Sequence, residues 1–401
     1  MIEPTKIRMS ICLDETSTFN ETCPSPDDEL SKFAKYWSFF LNNNKSLYVH
    51  QWFDGNPFAA NSSSPSFLAA GKVSGKGEKS WRNIIRERLG GKRALITCDI
   101  PPMSVVLKCF HLPEEEKFTD STTRALLYEQ RVYSCVISNF DQVPFFVYPL
   151  AIVKKKYKVG DYERQTRKGS IDGDIMDRWG TDTGTFRITV SENCGPLTFY
   201  AFLKASYERE IWKAVIQILT ALRLMQENNI VHNDLHFKNI LVKKLSAYSF
   251  DVVKRRVVMA EEVAQYNSQE QENLVKMRYM AKIFDWDRAH SDKVSTRLGP
   301  NPMADDIEVH LTTFNQSYDM VSFIKQMRRY YDLPQIDALD RLQQHYPWVL
   351  KPWHYKGSKY WHLTCYEDGR CSAEWPLQVH GMVKEAAESL YNYAVAQVYN
   401  S

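Results

Sequence analysis

No stretch of this chain approaches the roughly 18 consecutive apolar residues of a membrane-crossing helix, and its polar first residues lack the apolar core of a secretory signal. The expectation is an intracellular, cytoplasmic protein with no membrane partner. Charge imbalance is missing too: 51 Lys and Arg stand against 48 Asp and Glu, a net +3. That is too little to make nucleic acid a specific partner. Cysteine shows no pattern. The 8 cysteines are scattered singly in strand-like contexts such as Thr97-Cys98-Asp99 and Lys108-Cys109-Phe110, which argues against a disulfide framework and for reduced, buried thiols. Cys365 and Cys371 lie near His354 and His362, at a spacing that fits no familiar zinc pattern. Nor is there a Walker loop. In Gly71-Lys72-Val73-Ser74-Gly75-Lys76-Gly77 the first two glycines stand too close together and no Ser or Thr follows Lys76, which sets aside a P-loop NTPase.

What the chain has is a core-forming composition, 44% hydrophobic and 25% charged over 401 residues, enough for two lobes. Residues 1–62 read as an N-terminal extension with one short helix at Phe33 to Leu41. Residues 63–193 are strand-rich. Strands are expected at Ser66 to Ala70, Ala94 to Cys98, Ser104 to Phe110, Phe145 to Val153 and Phe186 to Val190, with helices at Ser80 to Leu89 and Thr122 to Ser138. Residues 194–401 are mainly helical. Ile211, Val215, Ile218, Leu219, Leu222 and Met225 mark a helix from about Ser206 to Glu227, and another spans Tyr318 to Tyr331. Between them a charged, Gln- and Glu-rich insertion at about 245–278 has helical character. The expected fold class is α+β, with a small antiparallel-sheet lobe followed by a larger helical lobe.

Chemistry concentrates in Val231-His232-Asn233-Asp234-Leu235-His236-Phe237-Lys238-Asn239-Ile240 and in Lys282-Ile283-Phe284-Asp285-Trp286-Asp287. An Asp and an Asn on one loop between apolar strands, with a second Asp at the end of another strand, supply what ATP-dependent phosphoryl transfer needs. Asp234 would orient an attacking hydroxyl and take its proton late, while the Asn239 amide oxygen and the Asp285 carboxylate would hold magnesium. A lone Asp is as often a turn cap, but the surrounding His-x-Asp-Leu-x-x-x-Asn pattern weighs against that. His232 reads as a buried loop residue rather than a base. Asp287 reads as an exposed carboxylate paired with Arg288.

The order Lys108, Glu129, Asp234, Asn239, Asp285 resembles the protein kinase-like superfamily over roughly residues 66 to 330. The Asn-Asp-Leu-His and Phe-Asp-Trp-Asp variants are most similar to divergent serine/threonine kinases of large DNA viruses, which would put the protein in a host cell or virion. The resemblance implies a bilobal kinase-like fold and transfer of the ATP γ-phosphate to Ser or Thr of a protein substrate, with ATP and Mg2+ as cofactors. Lys108 would hold the phosphates and Glu129 would hold Lys108. Gly71, Gly75 and Gly77 would cover the phosphates, with Gly90-Gly91 as the other candidate. Glu192 and Cys194 would form the adenine-binding hinge. Departures are Asn233 for the usual arginine, His236 for the usual lysine, with Lys238 supplying the charge instead, and Trp286-Asp287 for Phe-Gly. The run Tyr318 to Phe323 resembles the helix that anchors the catalytic loop. Two other readings stand beside this one. One is a small-molecule kinase of the aminoglycoside or choline type; the other is a pseudokinase scaffold using the aromatic C-terminal region, including Trp348, Trp353, Tyr355, Tyr360, Trp361 and Trp375. Acceptor, regulation and oligomeric state stay open.

Overall fold

A computed structural model describes residues 5–7, 47–51, 59–60, 66–73, 103–113, 129, 132, 144–147, 149–158, 183–192, 194–258, 260–286, 288–291, 317–331, 333, 335–350 and 375–400. They form a mixed α+β structure of small antiparallel sheets and several helices. The chain divides into two compact units, residues 1–120 with 148–193 and residues 121–147 with 194–401.

The first unit is one antiparallel sheet of β1 (Thr5–Ile7), β2 (Leu47–Gln51), β3 (Ala59–Ala60), β4 (Ser66–Val73), β5 (Met103–Pro113), β6 (Pro149–Lys158) and β7 (Thr183–Glu192). Its order is β1-β2-β4-β5-β7-β6, with β3 also on β4. The run Ser104-Val105-Val106-Leu107 is rich in β-branched residues and starts the long central strand β5, which pairs with β4 on one side and β7 on the other. Lys108 stands at its middle, in register with Leu68 and Thr189. The boundary expected at residue 63 does not divide this sheet, because β1, β2 and β3 pair into it. The expected Phe145 to Val153 strand is split: Phe146 bridges Ile283 in the second unit, and β6 belongs to the first. Expected elements at Phe33 to Leu41, Ser80 to Leu89 and Ala94 to Cys98 lie outside the described residues. Of the helix expected over Thr122 to Ser138, Glu129 and Val132 are described, both helical and buried.

The second unit is built around α2 (Glu208–Glu227), preceded by α1 (Phe199–Ala205). Every residue from Ile211 to Leu222 is buried, so α2 is a core helix covered on all sides rather than a one-faced surface helix. The polar side chains within that stretch are bonded. Lys213 pairs with Glu210 at 2.8 Å, and Thr220 Oγ1 donates to the Ile216 carbonyl. After α2 come β8 (Ile230–Val231), a 3-10 turn (Phe237–Asn239), β9 (Ile240–Asp251), β10 (Arg256–Val258), the single-turn helices α3 (Ala260–Val263) and α4 (Ser268–Gln271), β11 (Leu274–Ile283) and β12 (His290–Ser291). Then follow α5 (Tyr318–Tyr330), α6 (Asp337–His345), α7 (Pro347–Leu350) and α8 (Leu377–Asn400).

The insertion expected to be helical is instead mostly sheet. Strands β9 and β11 form a long antiparallel pair, and β10 adds to β9. In β11, buried Val275 and Met277 alternate with exposed Lys276 and Arg278, the period of a half-buried strand. Asp251 closes the β9–β10 turn: its Oδ1 accepts the Val253 and Lys254 amides at 2.9 and 2.8 Å, and its Oδ2 accepts the Tyr266 hydroxyl. Where the β9–β11 register shifts, the Tyr279 carbonyl accepts from both Tyr248 Oη and Gln217 Nε2. Helix α8 lies against α2 and closes the core with Val379, Val383, Ala386, Leu390 and Ala394. The C-terminal aromatics divide accordingly. Trp375 is buried against Trp348, and residues 353–361 lie outside the described residues.

Candidate active site

The antiparallel pairing of β9 with β11 puts the start of one strand beside the end of the other, with Ile240 opposite Ile283. One residue further out, the Phe284 amide donates to the Asn239 carbonyl at 3.1 Å. Asn239 and Asp285, far apart in sequence, thereby meet at one end of the hairpin. Asp285 is held at φ 68°, a left-handed conformation that Asp tolerates better than most residues.

Asp234 belongs to the same cluster. Asn239 Nδ2 donates to the Asp234 carbonyl at 3.0 Å, tying the two ends of the loop. With its nitrogen so committed, the hard oxygen Oδ1 is the end of Asn239 that can serve a cation. The 3-10 turn is capped by His236, whose Nδ1 accepts the Asn239 amide at 3.1 Å. Aromatic packing fixes the turn from below: Phe237 lies 5.0 Å from Phe199 and 5.6 Å from Phe323, measured between ring centroids.

Three polar residues on one face of α5 hold the loop backbone. The Asp319 carboxylate accepts the His232 amide at 2.6 Å and the Asn233 amide at 3.1 Å. Ser322 Oγ and Gln326 Nε2 both donate to the Leu235 carbonyl, and Gln326 Oε1 accepts the Phe237 amide. The sequence signal is Asp, Ser and Gln at helical spacing. The run Tyr318 to Phe323, singled out by its resemblance to an anchoring helix, holds Asp319 and Ser322 and stops short of Gln326.

His232 is fully buried, as expected of a loop residue rather than a base. Its Nδ1 accepts the Asp234 amide and its Nε2 lies 2.7 Å from the Phe284 carbonyl, which assigns the neutral ring with hydrogen on Nε2. Trp286 packs on it at 4.9 Å between centroids. Asn233, at φ 63°, donates from Nδ2 to the Arg288 carbonyl at 3.1 Å. Arg288 in turn places Nη1 3.5 Å from Asp234 Oδ2, with the two side chains 20% and 14% exposed. This cation beside Asp234 was read from sequence as a partner of Asp287, which lies outside the described residues. Burial, together with nearby Asp319 and Asp234, pushes the Tyr318 hydroxyl well above its ordinary pKa, and Arg288 opposes them.

Lys238 is exposed on the turn and acts on Tyr200, whose pKa is lowered first by Lys204 and further by Lys238 and Arg329. Gly71 does not begin a loop: it lies inside β4, paired with Val105. Gly75, Gly77 and Gly90-Gly91 lie outside the described residues. Lys108 and Glu192 are strand residues of the first unit. Glu129 and Cys194 are buried in the second.

As to a metal, the described residues contain no group of three or more His, Cys, Asp or Glu side chains able to hold an ion. The donors that meet are one amide and one carboxylate, a set that suits magnesium sharing its remaining positions with phosphate oxygens and water. Among the described residues no helix is long and apolar enough to cross a membrane. Compared with known proteins, the chain matches no family model and no curated protein.

Proposed function

We propose that this chain is an ATP-dependent phosphotransferase of bilobal, protein kinase-like fold, transferring the γ-phosphate to a hydroxyl, with Ser or Thr of proteins as acceptor. The observation that carries the reading is the convergence of Asp234, Asn239 and Asp285 at one end of the β9–β11 hairpin, on a loop tethered through its backbone to Asp319. An antiparallel sheet with Lys108 on its central strand supports the expected small lobe.

In this reading Asp234 accepts a hydrogen bond from the acceptor hydroxyl and aligns it, so positioning matters more than basicity. Asn239 Oδ1 and Asp285 would hold Mg2+, and Lys108 would hold phosphate oxygens. When bound, the metal–nucleotide pair supplies the phosphoryl group and neutralises charge as it develops. His232 keeps the loop in shape through its two ring nitrogens and takes no proton from the acceptor.

The test is transfer of labelled γ-phosphate from Mg-ATP to the protein itself and to generic protein acceptors. Wild type is expected to label protein. Asp234→Asn is expected to lose at least ~10³-fold in rate while still binding ATP, because the aligning carboxylate is gone and the nucleotide contacts remain. Equal labelling by both proteins removes Asp234 from the reaction. No labelling with ATP binding intact moves the reading to a small-molecule kinase or a scaffold.

A further inference from the structure

We infer that the acceptor at this site is an acidic polypeptide, a Ser or Thr flanked by carboxylates, because Asp234 is paired with Arg288 and its loop carries Lys238 into a cation cluster with Lys204 and Arg329. The inference rests on the phosphotransfer reading above and names its acceptor.

Arg288 is fixed as a backbone before it is used as a charge. The Ala289 amide closes a turn onto the Trp286 carbonyl, His290 pairs with Val231, and Asn233 grips the Arg288 carbonyl. Its guanidinium is thus presented at Asp234 by a rigid segment and keeps 20% of its surface in water. A guanidinium stays charged at every pH the protein meets, so the positive charge beside Asp234 is permanent. An acceptor brought to Asp234 therefore arrives beside a fixed positive charge.

The second observation lies along the same loop. Lys204, Lys238 and Arg329 come from α1, the 3-10 turn and the end of α5, and all three are exposed. Lys204 and Arg329 sit on an aromatic pair, and the turn that carries Lys238 packs on the same pair through Phe237, 5.9 Å from Tyr330 between centroids. Lys204 Nζ donates to Tyr200 Oη at 2.7 Å, Tyr200 packs edge-on against Tyr330 at 5.1 Å, and the Arg329 guanidinium lies 5.5 Å from the Tyr330 ring. Three cations drawn from three elements repel one another, and a bound anion relieves that repulsion. The same charges oppose the cationic acceptors of an aminoglycoside or choline kinase. The bland alternative is a solvated basic face with no bearing on the acceptor.

The experiment uses the full chain with Mg-ATP and two Ser peptides identical except that Glu flanks the serine in one and Lys in the other. The Glu peptide is expected to have a kcat/KM about tenfold higher, with the margin shrinking as salt is added. Lys204→Glu with Arg329→Glu is expected to raise KM for the Glu peptide, and Arg288→Glu to abolish or reverse the preference. A merely structural loss lowers both peptides equally and leaves their ratio unchanged, which overturns the inference. Equal use of the peptides by wild type overturns it as well. If transfer depends on Asp234 yet ignores flanking charge, the acceptor inference alone falls; if nothing is phosphorylated, both readings fall together.

Discussion

Two demands meet in Asp319 and burial sets them against each other. As the tether of the His232–Asn239 loop it must be a carboxylate, since both oxygens accept backbone amides. Burial raises its pKa to about 6, against the hydrogen bonds from His232 and Asn233 that favour the charged form. A carboxyl raised above its unfolded value of roughly 3.9 contributes stability that is full below that value and is lost as pH rises through about 6. Turnover is expected to run the other way, falling as pH drops through about 6 because the tether protonates. Asp319→Asn should remove this inflection from the pH–rate profile, and an unchanged inflection in the variant assigns it to another group. Asp319→Ala, which strands two buried amides, should cost about 2–4 kcal/mol of stability. On the same helix, burial pushes the Lys325 ammonium down to about 7, so its contribution is full above the unfolded value near 10.4 and is lost as pH falls through about 7. At this scale the sequence singles out Asp234, Asn239 and Asp285 by residue type and pattern, and the β9–β11 pairing brings the backbones of Asn239 and Asp285 together. Arg288 was not legible in this way, because its partner is set by the β8–β12 pairing and the Asn233 clamp rather than by spacing.

Helix α2 and strand β11 are joined by one side chain. Gln217, fully buried, donates to the Tyr279 carbonyl and accepts the Ala281 amide, both at 2.9 Å. It thereby satisfies backbone groups of β11 close to the register shift. Gln217→Leu keeps the volume and strands the Ala281 amide, while the Tyr279 carbonyl keeps Tyr248 Oη, so a loss of about 1–3 kcal/mol is expected in denaturant midpoint experiments. A loss below ~1 kcal/mol means that water or a neighbouring side chain takes over. The apolar repeat of α2 and α5 was readable because 3.6-residue periodicity survives tertiary packing. The insertion misled because its acidic and amide residues count as helix formers, while its real signal, the alternation Val275, Lys276, Met277, Arg278, has period 2. Gly71 misled for a related reason. A glycine within a glycine-rich run looks like a loop, yet the pairing of β4 with β5 runs through it.

Across the whole chain, α8 decides whether the second unit has a core. Val379, Val383, Ala386, Leu390, Ala394 and Val398 are buried along one face, and Tyr391 Oη donates to the Val252 carbonyl on the β9–β10 turn. Arg255, stacked 3.7 Å over Tyr391 and ion-paired with Glu388, fastens the same corner. At about 1.5–3 kcal/mol for each large apolar side chain, removing α8 forfeits on the order of 10 kcal/mol, comparable to the entire stability of a domain. A chain ending before Leu377 is therefore expected to lose cooperative unfolding by circular dichroism; retention of a sharp transition would show that α2 finds other cover. The sequence shifts from strand-rich to helix-rich near residue 193, and residues 121–147 belong with the second compact unit. The role of the last helix was not legible, because an amphipathic segment does not announce which neighbour it covers.

Helix α2, buried on every side from Ile211 to Leu222, also sets a clock. Part of its cover lies about 150 residues further along the chain, and contacts so distant in sequence close late. Until α8 arrives, the core helix is a sticky surface open to other molecules. The hazard for this chain thus lies in the interval before its core closes, when dilution, low temperature or a chaperone governs how much of it ever becomes active.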